Sequence, residues 1–290
     1  MTRPIKQIEA DLAMLAATVA TVAEEISSAY EQYFQLLGES VQRQIALASY
    51  QICTQAYPDS FLSLSYHQRR QLQQSLRQLG KQVPPQLKVV LETSQKGDLD
   101  LAKFPEATTD EEILETAPET TSNETEQTEE KSALEASESE NLTPENLIAQ
   151  IAQLEAAIAQ ILQTASGEVN RLLQQASILP KKLPNKILEA AVQAEESTDA
   201  IGGGQPNLLK LVVETETPES AKDAQVTQLM AVCLRLAEIE FNAPALSAQR
   251  NQIRELQAQV AKLQKQYSQR HRERSIAQAE AAWRSCWYED

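Results

Sequence analysis

The stretch Ile5–Leu36 reads IKQIEADLAMLAATVATVAEEISSAYEQYFQL, and its apolar residues recur every seven positions in two interleaved sets. This spacing is that of the a and d positions of a heptad repeat, which line one side of a helix. Alanines at e positions widen the apolar side, which favours packing against several helices over a two-stranded zipper. We therefore predict that this helix belongs to a bundle. The a set is Ile5, Leu12, Val19, Ile26 and Tyr33, and the d set is Ile8, Leu15, Val22, Ala29 and Leu36.

The rest of residues 1–91 has the pattern of two further helices, so we predict an N-terminal helical bundle over 1–91. A second helix is expected over 39–57, with Val41, Ile45, Ala48 and Ile52 on its apolar side. A third helix is expected to begin near Ser65, because Ser65 and Gln68 have the spacing of a capping box. Glycine and proline mark the expected interruptions and ends, which are Gly38, Pro58, Gly80 and the pair Pro84 and Pro85.

Residues 92–146 hold almost the whole charge imbalance of the chain. They contain 17 Asp or Glu and 3 Lys, for a net charge of −14, while the whole chain carries −15. A segment this acidic and this poor in large apolar residues cannot bury enough surface to offset its ordering entropy. We predict an acidic disordered linker over 92–142 between two nearly neutral parts. It is expected to act as a spacer, or as an internal shield for a basic helix further along.

The chain after the linker is predicted to contain three parts. A long helix with a proline-broken extension is expected over 143–194, and Thr143, Pro144 and Glu145 have the residue types of an N-cap and first turn. A flexible joint is expected over 195–217, where Gly202, Gly203 and Gly204 occur in succession. The apolar run 208–213 is of ambiguous type.

A C-terminal antiparallel helical hairpin is predicted over 218–290. Its first helix would present one apolar face, and Asn242 and Pro244 would form the turn. Its second helix has a coiled-coil pattern whose e and g positions are mostly glutamine. Charged residues at these positions would select a partner and its orientation, whereas neutral glutamines do not. The expected face of the first helix is Val226, Leu229, Met230, Cys233, Leu236 and Ala237; the expected core positions of the second are Leu246, Ile253, Leu256, Val260, Leu263 and Tyr267.

Composition supports an all-α class, because Ala, Leu, Gln and Glu are strong helix formers and the chain contains only 7 Gly. The three cysteines, Cys53, Cys233 and Cys286, lack paired spacing, which favours a reducing compartment and no disulfide framework. No apolar run was expected to be long enough for a transmembrane segment. The stretch 12–23 faintly imitates a signal peptide, but acidic Glu9 and Asp11 favour a mature helix.

One basic patch lies in the last long helix, with a local net charge of +5 over 250–274. It could bind nucleic acid, anionic lipid or an acidic protein, or it could be an ordinary solvated helix face. No stacking platform of aromatic residues accompanies it. The candidate contact residues are Arg250, Arg254, Lys262, Lys265, Arg270, Arg272 and Arg274.

Both tryptophans of the chain, Trp283 and Trp287, lie four residues apart near its end, on one side of a helix. Tryptophan is enriched at interface hot spots, so the pair is a candidate partner anchor. The alternative is that the two indoles close the end of the C-terminal hairpin.

No motif indicates catalysis. His67 and His271 lie in different parts of the chain and form no credible metal set with the scattered cysteines. The glycine triplet at 202–204 lacks the Lys-Ser/Thr pair of a phosphate loop. We expect no enzyme, no cofactor and no metal site. A histidine placed beside a buried carboxylate or cysteine would revive the enzyme hypothesis.

Two stretches resemble uncharacterised all-helical proteins of cyanobacteria. They are YQICTQAYPDSFLSLSYHQRRQLQQ at 50–74, and RLAEIEF at 235–241 together with the ending AEAAWRSCWYED at 279–290. The resemblance implies a bacterial, cytoplasmic protein and assigns no activity. It also implies that the acidic middle is a variable insertion.

These observations favour a non-catalytic interaction or scaffold protein that acts through helical surfaces. Its expected partner is a protein, and self-association through the heptad helices is a further expectation. The alternative is a nucleic-acid-associated regulator that uses the basic face at 250–274.

Overall fold

The computed structural model describes residues 4–95, 143–180, 206–215 and 225–287. The all-α class is confirmed, with the addition of a small two-stranded sheet. In chain order the elements are α1 (Ile5–Gln51), a π-helical turn (Ile52–Ala56), α2 (Pro58–Ser63), α3 (Tyr66–Gln95), α4 (Pro144–Gln175), β1 (Leu208–Thr215), β2 (Gln225–Val232), α5 (Leu236–Phe241) and α6 (Pro244–Trp287).

Most of the predicted linker and joint lies outside the described residues. Of the acidic linker predicted at 92–142, residues 96–142 are not described, and residues 92–95 form the end of α3. The glycine triplet 202–204 and the proline-broken extension beyond Pro180 are also outside the described residues. Of the predicted joint at 195–217, residues 208–215 form β1.

The first helix is neither interrupted nor ended at Gly38, so that prediction from the sequence is wrong. It continues to Gln51, because the apolar side continues through Leu37, Val41 and Ile45, all of which are buried. Gly38 instead marks a close approach between α1 and α3. A Cβ atom on Gly38 would lie 2.9 Å from both Cβ and Cγ of Pro84.

The third helix likewise runs through the predicted stop signals Gly80, Pro84 and Pro85. An interior proline removes a backbone hydrogen bond and costs about 3 kcal/mol. Each fully buried aliphatic side chain stabilises by about 1.5–3 kcal/mol, so continued burial can offset that cost. The predicted capping box is confirmed, since Ser65 N–H donates to Gln68 Oε1 at 2.8 Å and Gln68 N–H donates to Ser65 Oγ at 3.3 Å. The buried side on both sides of the prolines consists of Leu72, Leu76, Val83, Leu87 and Val90.

The first helix predicted for the C-terminal hairpin, before the turn at Asn242 and Pro244, is wrong where the structure describes it. Residues 225–232 form a strand, and before the turn only 236–241 is helical. β2 pairs antiparallel with β1 in a register that runs from Leu208 opposite Val232 to Thr215 opposite Gln225. The end of β2 is held by Asn170 of α4, whose side-chain amide exchanges two 2.8 Å hydrogen bonds with the backbone of Val232. Distant partners therefore decide this conformation.

The chain divides into two compact units, each built from segments that are distant in sequence. The described part of the first unit comprises 4–29, 143–153 and 251–287. In it Ile8 and Leu12 of α1 pack with Ala277 of α6, and Ile5 and Tyr267 lie against them. The N-cap predicted for α4 is confirmed, because Asn146 N–H donates to Thr143 Oγ1 at 3.2 Å.

The described part of the second unit comprises 30–95, 154–180, 206–215 and 225–250, and it contains the sheet. Tyr57, just after the π-helical turn, accepts a 3.0 Å hydrogen bond on Oη from Met230 N–H of β2. Ser166 Oγ of α4 accepts another at 2.9 Å from Leu234 N–H. The segment that follows α1 and the C-terminal half of α4 therefore both contact β2 or the residues just after it.

Replacing Gly38 by alanine is expected to destabilise the protein by about 1–3 kcal/mol, because the new methyl group would overlap Pro84. Gly167 of α4 is the matched control. A Cβ atom there meets nothing within 4 Å among the described residues. Gly167→Ala should therefore increase the free energy of unfolding by about 0.5–1 kcal/mol, the amount by which helix interiors favour alanine over glycine. Chemical denaturation of the two variants measures both effects. Equal shifts in the same direction would contradict the close α1–α3 packing.

Candidate functional site

Arg250, the first residue of the predicted basic face, lies in the interior of the second unit and is only 7% exposed. Its Nε donates to Glu240 Oε1 of α5 at 2.6 Å, and its Nη1 donates to Glu155 Oε1 of α4 at 2.5 Å. Its Nη2 donates to Tyr33 Oη of α1 at 2.7 Å. The prediction that Arg250 contacts a partner is therefore wrong, because its guanidinium is occupied by three helices of its own chain.

Two tyrosines of α1 complete this cluster, which we call the Arg250 cluster (Tyr30, Tyr33, Glu155, Glu240, Arg250). Tyr30 Oη donates to Glu155 Oε1 at 2.6 Å, and Tyr33 Oη donates to Glu240 Oε1 at 2.5 Å. The guanidinium carbon of Arg250 also lies 4.5 Å from the centroid of the Tyr33 ring. Each carboxylate therefore accepts one hydrogen bond from a tyrosine and one from the shared guanidinium of Arg250.

Burial and hydrogen bonding keep two members of the Arg250 cluster, Tyr33 and Arg250, protonated. Burial and then the hydrogen bond to Glu240 raise the pKa of Tyr33 far above its usual value. For Arg250, burial acts to lower the pKa, but the hydrogen bond to Glu155 and the charges around it raise it by more. Neither of these two groups exchanges a proton near neutral pH, so Tyr33 and Arg250 are suited to holding helices together rather than to acid–base catalysis.

Sequence reasoning missed the role of Arg250 because it counted cations along the helix without assigning them to faces. Arg250 follows Leu246 by four residues and precedes Ile253 by three, which places it on the buried side of α6. That spacing was a readable signal for a core arginine. Its partner Glu155 lies 95 residues away in the sequence, and Glu240 lies 10 residues away on the other side of the turn. Neither glutamate carried a signal of its own.

The other predicted cations divide into exposed and engaged residues. Arg254, Lys262, Lys265 and Arg272 are exposed on α6. Arg270 is partly buried; its Nε lies 3.5 Å from Asp11 Oδ2 of α1, and its Nη1 lies 2.7 Å from Glu273 Oε2. Arg274 is also partly buried, and its Nη2 lies 3.2 Å from His271 Nδ1. The exposed basic face therefore consists of four cations, which we call the α6 basic face (Arg254, Lys262, Lys265, Arg272).

Trp283 and Trp287 are 68% and 70% exposed, in the last turns of α6. Their rings stack with centroids 5.9 Å apart and planes inclined by 25°. The alternative that they close the end of a hairpin is therefore wrong. Ile276, also exposed, precedes Trp283 by seven residues and so lies on the same side of the helix. We call this side the Trp stripe (Ile276, Trp283, Trp287).

The histidines and cysteines do not come together. His67 is exposed near the start of α3, and the ring of His271 lies against Tyr267 with centroids 4.5 Å apart. Within the described ranges there is no group of three or more His, Cys, Asp or Glu able to hold a metal ion. Cys53 and Cys233 are buried and Cys286 is exposed.

Two surface depressions lie in the second unit. One, of about 310 Å³, lies between the start of α3 and the end of α4 and has a mixed lining, with leucines beside polar residues such as Gln68, Gln71 and Gln175. The other, of about 580 Å³, lies between α1 and α3 and has an apolar floor. We call the second depression the α1–α3 groove; the residues that line it are Gln42, Arg43, Ala46, Ser49, Tyr50, Cys53, Thr54, Phe61, Leu72, Gln73, Leu76, Arg77 and Lys81.

The helical stretch Ile5–Ala56 is long and apolar enough to cross a membrane by the criteria of length and composition, judged over the described residues. Its most apolar window has a mean hydropathy of 1.3, and 28% of that window is buried. Core helices of globular proteins and N-terminal signal sequences satisfy the same criteria. The absence of a transmembrane segment therefore stays a prediction.

Comparisons with protein-family models, with curated proteins and with solved structures found no match to this chain. Any function must therefore be argued from the side chains themselves.

Arg250→Met is expected to cost about 3–5 kcal/mol of folding free energy, because it leaves two partly buried carboxylates without their cation. Arg254→Met is the matched control, since it removes the same group from an exposed position of the same helix. That change should stay within about 0.5 kcal/mol. Urea denaturation measures both, and similar values for the two variants would contradict the structural role of the cluster.

The three cysteines should differ in reactivity. Burial raises the pKa of Cys53 to about 11, so at pH 8 only about a thousandth of it is thiolate, the reactive form. Iodoacetamide should therefore modify Cys286 first, which peptide mass spectrometry can follow over time. Because the folded pKa of Cys53 exceeds its unfolded value of 9.0, the stability it contributes is complete below pH 9 and is lost as pH rises through 11. Equal labelling rates in denaturant are the control, and rapid labelling of Cys53 in the native protein would contradict its burial.

Proposed function

We propose that this chain is a non-catalytic interaction protein and that the Trp stripe is its main contact surface for a protein partner. The observation that carries the proposal is the exposure of two stacked indoles on a formed helix. Each indole leaves a large apolar area in water, and burying such area contributes roughly 25 cal/mol per Å². A partner with a matching groove would recover that free energy.

The geometry of the stripe suits recognition of a helix by a groove. Ile276, Trp283 and Trp287 are separated by seven and four residues, which places the three side chains on one face over a length of about 17 Å. Anchors at such spacings are typical of amphipathic helices that bind hydrophobic grooves. The 3.1 Å ion pair between Arg284 and Glu280 lies in the same turns and helps to keep them helical.

The alternative function, binding of nucleic acid, has less support than the sequence suggested. Arg250 and Arg270 are engaged in ion pairs, and Arg274 is partly buried beside His271. That leaves the four cations of the α6 basic face. These extend over 18 residues, or about 27 Å of helix, so they are sparse. If all four neutralised phosphates, the logarithm of affinity would fall with the logarithm of salt concentration with a slope of about −3.6 at most.

The wider setting is proposed from the sequence. The resemblance to all-helical cyanobacterial proteins supports a bacterial and cytoplasmic protein, and the scattered cysteines agree with a reducing compartment. The acidic residues 96–142 would act as a spacer, and self-association through the heptad positions is a further proposal. No catalytic role is proposed, since burial and hydrogen bonding raise the pKa of both Tyr33 and Arg250, which keeps them protonated near neutral pH.

The double variant Trp283→Ala/Trp287→Ala is expected to lose a protein partner captured by the wild-type chain, with at least a hundredfold drop in affinity, because hot-spot tryptophans each contribute about 2 kcal/mol or more. Affinity purification from a bacterial lysate, with identification by mass spectrometry, supplies the partner for titration. The thermal midpoint should not change, since neither side chain is buried.

A charge-neutralised control, Arg254→Gln/Lys262→Gln/Lys265→Gln/Arg272→Gln, separates the two functions. It should leave capture by the Trp stripe intact at low and high salt. The opposite result would be that the wild-type chain captures nucleic acid, the tryptophan variant still captures it and the charge-neutralised variant does not. That result would overturn the proposal in favour of the alternative.

A further inference from the structure

The α1–α3 groove is amphipathic along its length. Because Gly38 meets Pro84 and Gly80 meets Gln42, α1 and α3 run antiparallel here. Arg43, Arg77 and Lys81 therefore lie towards one end of the groove, and Cys53, Phe61 and Leu72 lie towards the other. From Gln42 to Thr54 the groove follows about 18 Å of helix. Its polar end is cationic and its far end is apolar.

The charges of this groove are unbalanced. Among the described residues that line it, three are cationic and none is Asp or Glu. Arg43 is paired with Glu39 at 3.5 Å across an exposed surface, a contact that a stronger anion can replace. Arg77 and Lys81 are exposed at the rim. A concave, mostly apolar surface with a few polar or charged groups is the usual form of a small-ligand site. Cations at its rim favour a ligand with an anionic end.

Ser49 supplies an independent observation. Its side chain lines the groove, and the residue is only 4% exposed. Within the described part of the chain its hydroxyl has no hydrogen-bond partner, although buried polar groups are nearly always paired. Ser49 lies one to two turns from the level of Arg43 along α1, between the cationic and apolar ends. An unpaired hydroxyl in the wall of the groove is a donor that a bound anion can satisfy.

We propose that the α1–α3 groove binds a single-chain amphipathic carboxylate, such as a medium-chain fatty acid. Arg77 and Lys81 hold the carboxylate, Ser49 donates a hydrogen bond to it, and the alkyl chain lies towards Leu72, Cys53 and Phe61. A volume of about 580 Å³ falls within the range of about 300–1,000 Å³ that small-ligand sites occupy. This site is in the second unit and is independent of the Trp stripe.

Isothermal titration of the full chain with dodecanoate, below its micelle threshold, tests the proposal. We expect saturable binding of one molecule per chain. 1-Dodecanol, which has the same chain without the charge, should bind at least tenfold more weakly. Arg77→Gln/Lys81→Gln should weaken dodecanoate at least tenfold, and Ala46→Phe, at an exposed position of the groove, should block it by filling the space.

Arg70→Gln/Lys88→Gln is the matched control, because it removes two cations from exposed positions of the same helix outside the groove. It should bind dodecanoate within twofold of the wild type. Equal affinities for dodecanoate and dodecanol, or equal effects of the two double variants, would overturn the proposal. The absence of dodecanoate binding would also overturn it. Phosphatidylglycerol vesicles, or a peptide of residues 105–140, are then tested for binding that depends on Arg77 and Lys81. Such binding would assign the groove to a membrane or to the acidic segment.

Discussion

The ion pairs of Arg250 are the constraint on which the second unit depends. One guanidinium from the start of α6 is shared among α1, α4 and α5, through Tyr33, Glu155 and Glu240. A charge this deeply buried is tolerated only when its donors are satisfied, because leaving a buried ion unpaired costs several kcal/mol. Apolar contacts accept small rotations of one helix against another, whereas this set of directional bonds accepts few. The cluster therefore specifies which helix faces meet, in addition to contributing stability.

A second set of directional contacts specifies the opposite ends of α1 and α4, at the sheet. Asn170 and Ser166 of α4 satisfy backbone groups of β2 and of the residues that follow it, and Asn207 donates from its side chain to Gln44 of α1 at 3.1 Å. A two-stranded sheet alone is marginal in water and needs packing against other elements. Here the polar groups of the helices complete the ladder where β2 ends. Within the second unit, polar bonds thus fix α1 and α4 both at the Arg250 cluster and at the sheet, with buried apolar residues between these two places.

How much the sequence could predict depended on the range of the interactions. The heptad positions of α1 were predictable, since Ile8, Leu12, Val19 and Ile26 are buried as expected. Further along, the buried side shifts to include Phe34 and Leu37, because a straight helix drifts by about 20° per heptad from a seven-residue repeat.

Features that depend on a distant partner were not predictable from local pattern. Val226 to Cys233 suits a helix by its spacing, and only pairing with β1 and Asn170 makes 225–232 a strand. Gly38 is a stop signal by composition, yet Pro84, remote in sequence, explains why a residue without a side chain is needed there. For the candidate contact surfaces, the tryptophans were found from their spacing, and Arg250 was misassigned because its partners lie 95 and 10 residues away.

The last helix shows why a contact surface would be placed where burial ends. Along α6 the buried apolar side chains are Leu246, Ile253, Leu256 and Val260, followed by Ala277. From Gln278 to Trp287 no described residue is buried. An isolated helix this short would be marginal, but extending an existing helix avoids the cost of nucleation. The preceding turns thus order the Trp stripe before any partner arrives. Because ordering costs subtract from binding free energy, a helix already formed gives tighter binding than a flexible tail with the same two tryptophans.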